Sequence, residues 1–270
     1  MPEASHAAWW YWGHFLAAFA VTGFWETFAP LRASPVSTPR RWLLNALLMA
    51  SANAAQVILL RSSPGLVALA SASSAFGLMP RLHWPPPALW LLTILALDLI
   101  RYAQHWLMHR VGLLWRIHQV HHADPHYDIT TGLRFHPLES LLVNGSYLAA
   151  IALLAPPVAA VLAVEAAAAV QALFAHANAD LPAPLERWVR RVWVTPTLHR
   201  VHHSADRREQ NRNFGMLFPI WDRLLGTYLA APSLPARTMP IGLADLTLSQ
   251  ASNLLTLLAL PFRRPPKPGS

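Results

Sequence analysis

Long apolar blocks set the first constraint on this chain. Residues 9–29 form one, rich in Trp at its outer end. Residues 42–60 and 87–104 form two more, and 138–176 hold a further pair broken at Pro156-Pro157. Several reach the ~20 residues that a helix needs to cross a bilayer. The expected fold is therefore all-α, an integral membrane helix bundle. The first block does not read as a cleaved signal peptide, because it lacks a basic leading region and contains Glu26. A weaker block, Pro64–Pro80, carries Ser71, Ser73 and Ser74 and does not read as a clear span.

Composition agrees with a lipid environment. Hydrophobic residues make up 54% of the 270 and charged residues only 13%, against about a quarter charged in soluble domains. The chain has no cysteine, which removes disulfide frameworks, Cys-ligated zinc and thiolate nucleophiles together. Lys267 is the sole lysine, so the net charge of +8 is carried by arginine. On an apolar chain this excess points to an anionic membrane surface, and no basic stripe interleaved with aromatics argues for nucleic acid.

The arginines also orient the bundle. Basic residues concentrate in 110–134 and 187–223, which the positive-inside rule assigns to the cytoplasm. The block 138–176 then leaves and returns as a hairpin with its prolines at the far turn. If Pro64–Pro80 does not cross, the N-terminus is outside and Arg32, Arg40 and Arg41 are inside. If it does cross, both assignments reverse. The first version fits an opening stretch without Lys or Arg. Scarce lysine with abundant alanine, arginine and proline suggests a bacterial gene, hence a bacterial inner membrane.

The chemistry lies in the histidines. Of 14, eight fall in three motifs: His105-x-x-x-His109, His118-x-x-His121-His122 and His199-x-x-His202-His203. At this histidine frequency an HxxHH pattern is expected about 0.04 times per chain, and two copies in roughly one chain in a thousand. Residues at i, i+3 and i+4 share a helix face, so each motif should aim its imidazoles in one direction. His6, His14 and His83 stand near segment ends, where an interfacial imidazole needs no special role. Eight histidines are too many for one zinc. Neither the HExxH pattern nor the Glu-x-x-His pair of soluble di-iron bundles is present. A histidine-rich dinuclear site remains, and iron is the metal that activates O2.

At these residues the chain resembles the fatty acid hydroxylase/sterol desaturase superfamily, whose signature is HxxxH, HxxHH and HxxHH in this order. Asp98-x-x-x-Tyr102 before the first box fits the likeness, as does Thr131-Gly-Leu-Arg-Phe-His136-Pro-Leu-Glu139 after the second. So do Phe174-Ala-His176-Ala-Asn178 and the run from Asn213 through Trp221-Asp222 to Gly226-Thr-Tyr228. The likeness covers roughly 90–230. It implies a non-haem di-iron centre in a cytoplasmic helical cap on the bundle. The implied ligands are the eight box histidines together with His136 and His176, with a capping role as the alternative for His136. Asp98, two turns before His105, could accept an N–H from that imidazole, or pair with Arg101. Asp124, Asp128, Glu139, Asp206 and Asp222 are further candidates.

The resemblance further implies hydroxylation or desaturation of a C–H bond of a lipid-like substrate: a fatty acyl chain, sterol or hopanoid, carotenoid or ether lipid. O2 would be the co-substrate. No flavin, nicotinamide or haem site is recognisable, so electrons should come from a separate ferredoxin, cytochrome or reductase, drawn to the basic face. Two other classes stay open: a non-catalytic membrane metal-binding protein and a metal-dependent hydrolase. The first would need ligands along a transmembrane path, whereas the boxes are expected beside the spans. The second would need a carboxylate base among the ligands. One domain is expected over 1–260, with the Pro- and Arg-rich 261–270 as a disordered tail.

Overall fold

The computed structural model describes residues 2–33, 38–72 and 77–263, with side chains from residue 12 onward in the first segment. Every regular element there is helical. Four stretches among the described residues are long and apolar enough to cross a membrane: Thr38–Ser71, Pro86–Arg110, Pro137–Leu154 and Val158–Ala175. The first block of the sequence lies in α1, Pro2–Phe28, a helix outside those four.

Thr38–Ser71 is two helices. α2, Thr38–Ala55, continues through a π-helical turn, Gln56–Leu60, that Arg61 closes in a left-handed conformation (φ 52°). Ser63 then caps α3, Pro64–Ser71, with Pro64 in the first turn where a missing N–H costs nothing. Eight residues rise only about 12 Å, so α3 cannot cross alone. It packs on the hairpin of α6, Pro137–Leu154, and α7, Val158–Ala175, where Ala68 joins Tyr147, Ile151, Val161 and Val164 in one apolar cluster. The Leu78 N–H reaches the Leu153 carbonyl at 3.1 Å, at the far end of that hairpin. α2 and α3 thus fall within one candidate span, Thr38–Ser71, and the described part of Pro64–Pro80 makes no candidate of its own.

α4, Pro86–Arg110, starts on a run of prolines and holds 25 residues, about 37 Å of rise against an apolar core of ~30 Å. The surplus is its last turns, which carry His105 and His109. The first box is thus the end of a membrane-length helix and not a segment beside it. α5, Gly112–His122, follows after a one-residue break and carries the second box. α6 ends at Ala155, left-handed at φ 46°, and Pro156-Pro157 make the turn into α7.

A polar layer ties these helices to the loop 123–136. Arg41 pairs with Asp124 at 3.1 Å and Asp128 at 2.9 Å. Arg134 donates to Asn45 and to the Val120 carbonyl, and Asp124 accepts from Thr131. Burial works against the Asp124 charge, yet Arg41 and Arg134 hold its carboxyl well below the usual range. At the same end of the bundle Glu26, near the end of α1, accepts the N–H groups of Ile129 and Asn178, each at 3.1 Å. α1 therefore ends at the histidine end of the bundle. At the C-terminus Leu260–Phe262 forms a 3-10 turn with Leu260 and Pro261 buried. The rest of the expected tail, 264–270, lies outside the described residues.

Candidate metal centre

Four helices aim histidines at one place. His105 and His109 come from α4, and His118, His121 and His122 from α5. His176 is the residue that ends α7. His199 and His202 come from the helix Pro196–His202, which Thr195 caps, and His203 ends it. Their ligating nitrogens form two groups, each with all its atoms within 4.8 Å of one another. One holds His105, His109, His118, His122 and His202, and the other His121, His176, His199 and His203. Each HxxHH triplet is therefore divided between the groups, where the spacing alone suggested one direction per motif. The i, i+4 pairs 118/122 and 199/203 stay together on their helix faces. The remaining histidine of each triplet, His121 or His202, crosses to the other group.

His136 stands outside both groups. Its Nδ1 accepts the Leu138 N–H at 3.1 Å as the cap of α6, and its Nε2 lies 3.1 Å from the Leu258 carbonyl. It takes the capping role that was the alternative to ligation. His176 lies inside the second group, and nothing in its local sequence distinguishes the two cases.

Fixed acceptors orient several rings. Nδ1 of His118 donates to Glu139 Oε1 at 2.6 Å, and His105 to the Phe214 carbonyl at 3.0 Å. His202 donates to the Arg212 carbonyl at 2.8 Å and His176 to the Ala172 carbonyl at 2.7 Å. An oxygen acceptor keeps the proton on Nδ1 and leaves Nε2 with its lone pair, the form a metal needs. Glu139 was among the sequence candidates. The three carbonyls were not, since any residue has one.

The arrangement fits a cation. His176 Nε2 lies 3.3 Å from His121 Nε2, 3.2 Å from His203 Nε2 and 3.1 Å from His199 Nε2. Its single lone pair cannot accept three N–H groups at once. In the other group, Nε2 of His105, His109, His118 and His202 and both nitrogens of His122 are buried without a partner among the described residues. Burial also keeps the rings neutral. It pushes His176 down to about 4 and His202 to about 3. It holds His121, His122, His199 and His203 well below the usual value, with neighbouring imidazoles adding to the effect. Neutral imidazole is the metal-binding form.

Among the described residues Asp98 makes no hydrogen bond to a histidine. Its carboxylate accepts the Leu217 N–H at 2.9 Å, the Phe218 N–H at 3.3 Å and Trp221 Nε1 at 2.8 Å. Arg101, its other expected partner, pairs with Glu165 instead. Asp222 accepts the N–H groups of Phe214 and Gly215, each at 2.8 Å, and Tyr102 meets Thr227 at 2.8 Å. Asp98-x-x-x-Tyr102 is therefore a clamp, one turn of α4 gripping the segment 213–228 that presents the Phe214 carbonyl to His105. Gly132 also serves the site by its smallness: a Cβ there would stand 2.6 Å from the Ala172 carbonyl and 3.1 Å from His176 Nδ1.

A cavity of about 990 Å³ opens from His105, His118, His121, His176 and His199 into the helix bundle. Trp12, Phe15, Met49, Leu66, Leu69 and Leu162 supply its apolar wall, so a long alkyl group can lie there out of water.

Residues 90–227 match the family model described as fatty acid hydroxylase. An ornithine lipid hydroxylase of Rhizobium tropici is 34% identical over 183 residues, 67% of this chain and 53% of that protein. The human alkylglycerol monooxygenase is 29% identical over 149 residues, 55% of this chain and 32% of that enzyme. The zebrafish (Danio rerio) alkylglycerol monooxygenase is 31% identical over 149 residues. The matched region thus spans about half of the bacterial relative and a third of the animal ones. No solved structure matches the chain.

Proposed function

The chain belongs to the fatty acid hydroxylase family, and from that membership we propose that it is a di-iron oxygenase acting on a C–H bond of a membrane lipid. The observation that carries this reading is the pair of histidine groups opening onto one apolar cavity inside the bundle. His105, His109, His118, His122 and His202 would hold one iron, and His121, His176, His199 and His203 the other. Bound iron supplies reductive activation of O2 and removal of hydrogen from an unactivated carbon.

The protein's own part is placement. Glu139 and the Phe214, Arg212 and Ala172 carbonyls hold four imidazoles in the tautomer that offers Nε2. The apolar wall excludes water and aligns the alkyl group with the histidines. Hydroxylation by O2 consumes two electrons and two protons, one oxygen passing to carbon and the other to water. A separate electron-transfer protein supplies those electrons, at the face where Arg187, Arg191, Arg207 and Arg208 are exposed. The lipid is a fatty acyl, sterol or hopanoid, carotenoid or ether-lipid species.

The test compares lipid extracts of cells producing the protein and its His122→Ala variant under isotopically labelled O2. A labelled species, or one lighter by two hydrogens, should depend on His122. Extracts that do not differ would remove the oxygenase reading.

The histidine end faces the cytoplasm in this reading, where reduced carriers are available. With no native cysteine to interfere, single cysteines can replace His83 and Pro157 at one end and Gly112 and Arg208 at the other. An impermeant thiol reagent on intact cells or spheroplasts should label 83 and 157 and spare 112 and 208. Labelling of 112 or 208 reverses the orientation.

A further inference from the structure

Polar groups line the cavity where a hydrocarbon would have no use for them. Four residues before His105 on α4, Arg101 donates Nη2 to Glu165 Oε1 of α7 at 2.7 Å and stacks over the Tyr147 ring at 4.1 Å. Gln104 donates Nε2 to the Val143 carbonyl at 2.9 Å and to Ser146 Oγ at 2.8 Å. Arg101, Gln104 and Glu165 all line the cavity. Two of their atoms are buried without a partner among the described residues: Nε of Arg101, a donor, and Oε1 of Gln104, an acceptor. Gln171, 1% exposed and on the same wall, leaves its Oε1 unpartnered as well. Buried groups of this kind are costly unless something enters to pair with them.

We infer that Arg101, Gln104 and Glu165 bind a neutral or zwitterionic polar group of the lipid, one that both donates and accepts, such as an amide or a hydroxyl. The inference rests on the lipid-oxygenase reading for its substrate class. The donor and acceptor left over on adjacent turns of α4 match the N–H and C=O, or the O–H, of such a group. Charge excludes the other polar heads: Arg101 and Glu165 already balance each other, so a net-charged group would be stranded in a low-dielectric wall. On α4 Arg101 stands four residues before His105, about 6 Å of rise, and on α7 Glu165 stands eleven before His176, about 16 Å. The polar group is thus held one or more helical turns from the histidines, and the carbon presented to them lies further along the lipid.

Binding can be read without turnover, because Trp12 lines the same cavity. The probes are a long-chain N-alkyl amide, an alcohol and a plain alkane of equal length, each brominated on the chain to quench tryptophan fluorescence of the purified protein. The amide or the alcohol should bind roughly tenfold tighter than the alkane, about one hydrogen bond's worth. Gln104→Leu should erase much of that preference, and the Arg101→Met/Glu165→Leu double variant the rest, while alkane binding and iron content stay unchanged. Gln104 is partly exposed, so its variant remains informative if the double variant does not fold. Equal affinity for all three probes, or a preference that Gln104→Leu leaves undiminished, overturns the inference. Iron and O2 play no part in this measurement, so its outcome is independent of whether the oxygenase reading stands.

Discussion

On the di-iron reading proposed above, the His176→Ala variant is expected to bind one iron in place of two, and to lose turnover by at least roughly a thousandfold, ~4 kcal/mol of transition-state stabilisation. The reason is its central place in the second group. Three other Nε2 atoms lie within 3.3 Å of its own, so its removal opens one side of that site to water. No neighbour can fill the gap, since Glu139 is held by His118 in the other group and Asp124 by Arg41 and Thr131. His136→Ala supplies the contrast. It removes a helix cap, worth about 1 kcal/mol, and should leave both irons in place. Metal analysis and Mössbauer spectra of anaerobically purified protein distinguish the two. Loss of an ion from His136→Ala would mean that the geometry misplaces the ligand set.

For Asp98→Ala the expected effect is on the fold before it is on the metal. Asp98 is 0% exposed and accepts three hydrogen bonds from the 217–221 segment. Each donor left unpaired in a dry interior costs ~1–3 kcal/mol, so the sum takes a large share of the ~5–15 kcal/mol that a typical protein has. The variant should accumulate poorly, and its unfolding in detergent should shift sharply downward. Asp98→Asn keeps the shape but offers one acceptor oxygen and places an NH2 against a donor, so its loss should be intermediate. Thermal unfolding of purified protein with bound iron measured alongside is the check. A variant that unfolds like wild type but loses iron would restore the role suggested by the spacing alone, in which Asp98 holds a ligand imidazole.

These expectations separate what is written locally in the chain from what is not. The helical class, the α6–α7 hairpin and the identity of eight candidate ligands are legible in the sequence, because apolar length and the i, i+3, i+4 spacing act within one helix. Proline marks the hairpin turn for the same local reason. The likeness to the family is legible too, since it rests on motifs that each occupy a few consecutive residues.

Long-range packing decided the rest. His136 and His176 each stand at a helix end, and only the fold turns one toward the Leu258 carbonyl and the other toward three imidazoles. The division of each HxxHH triplet between two groups depends on how α5 and the helix Pro196–His202 meet. The candidate span shared by α2 and α3 depends on α3 finding the α6–α7 hairpin. Asp98 has an ionisable partner three residues away in Arg101, yet its contacts lie 119 to 123 positions further on. Helical periodicity specifies which residues share a face and says nothing of what that face will meet. A buried carboxylate or imidazole takes whichever donor, acceptor or metal the assembled helices bring within about 3 Å, so its role is settled by tertiary contact.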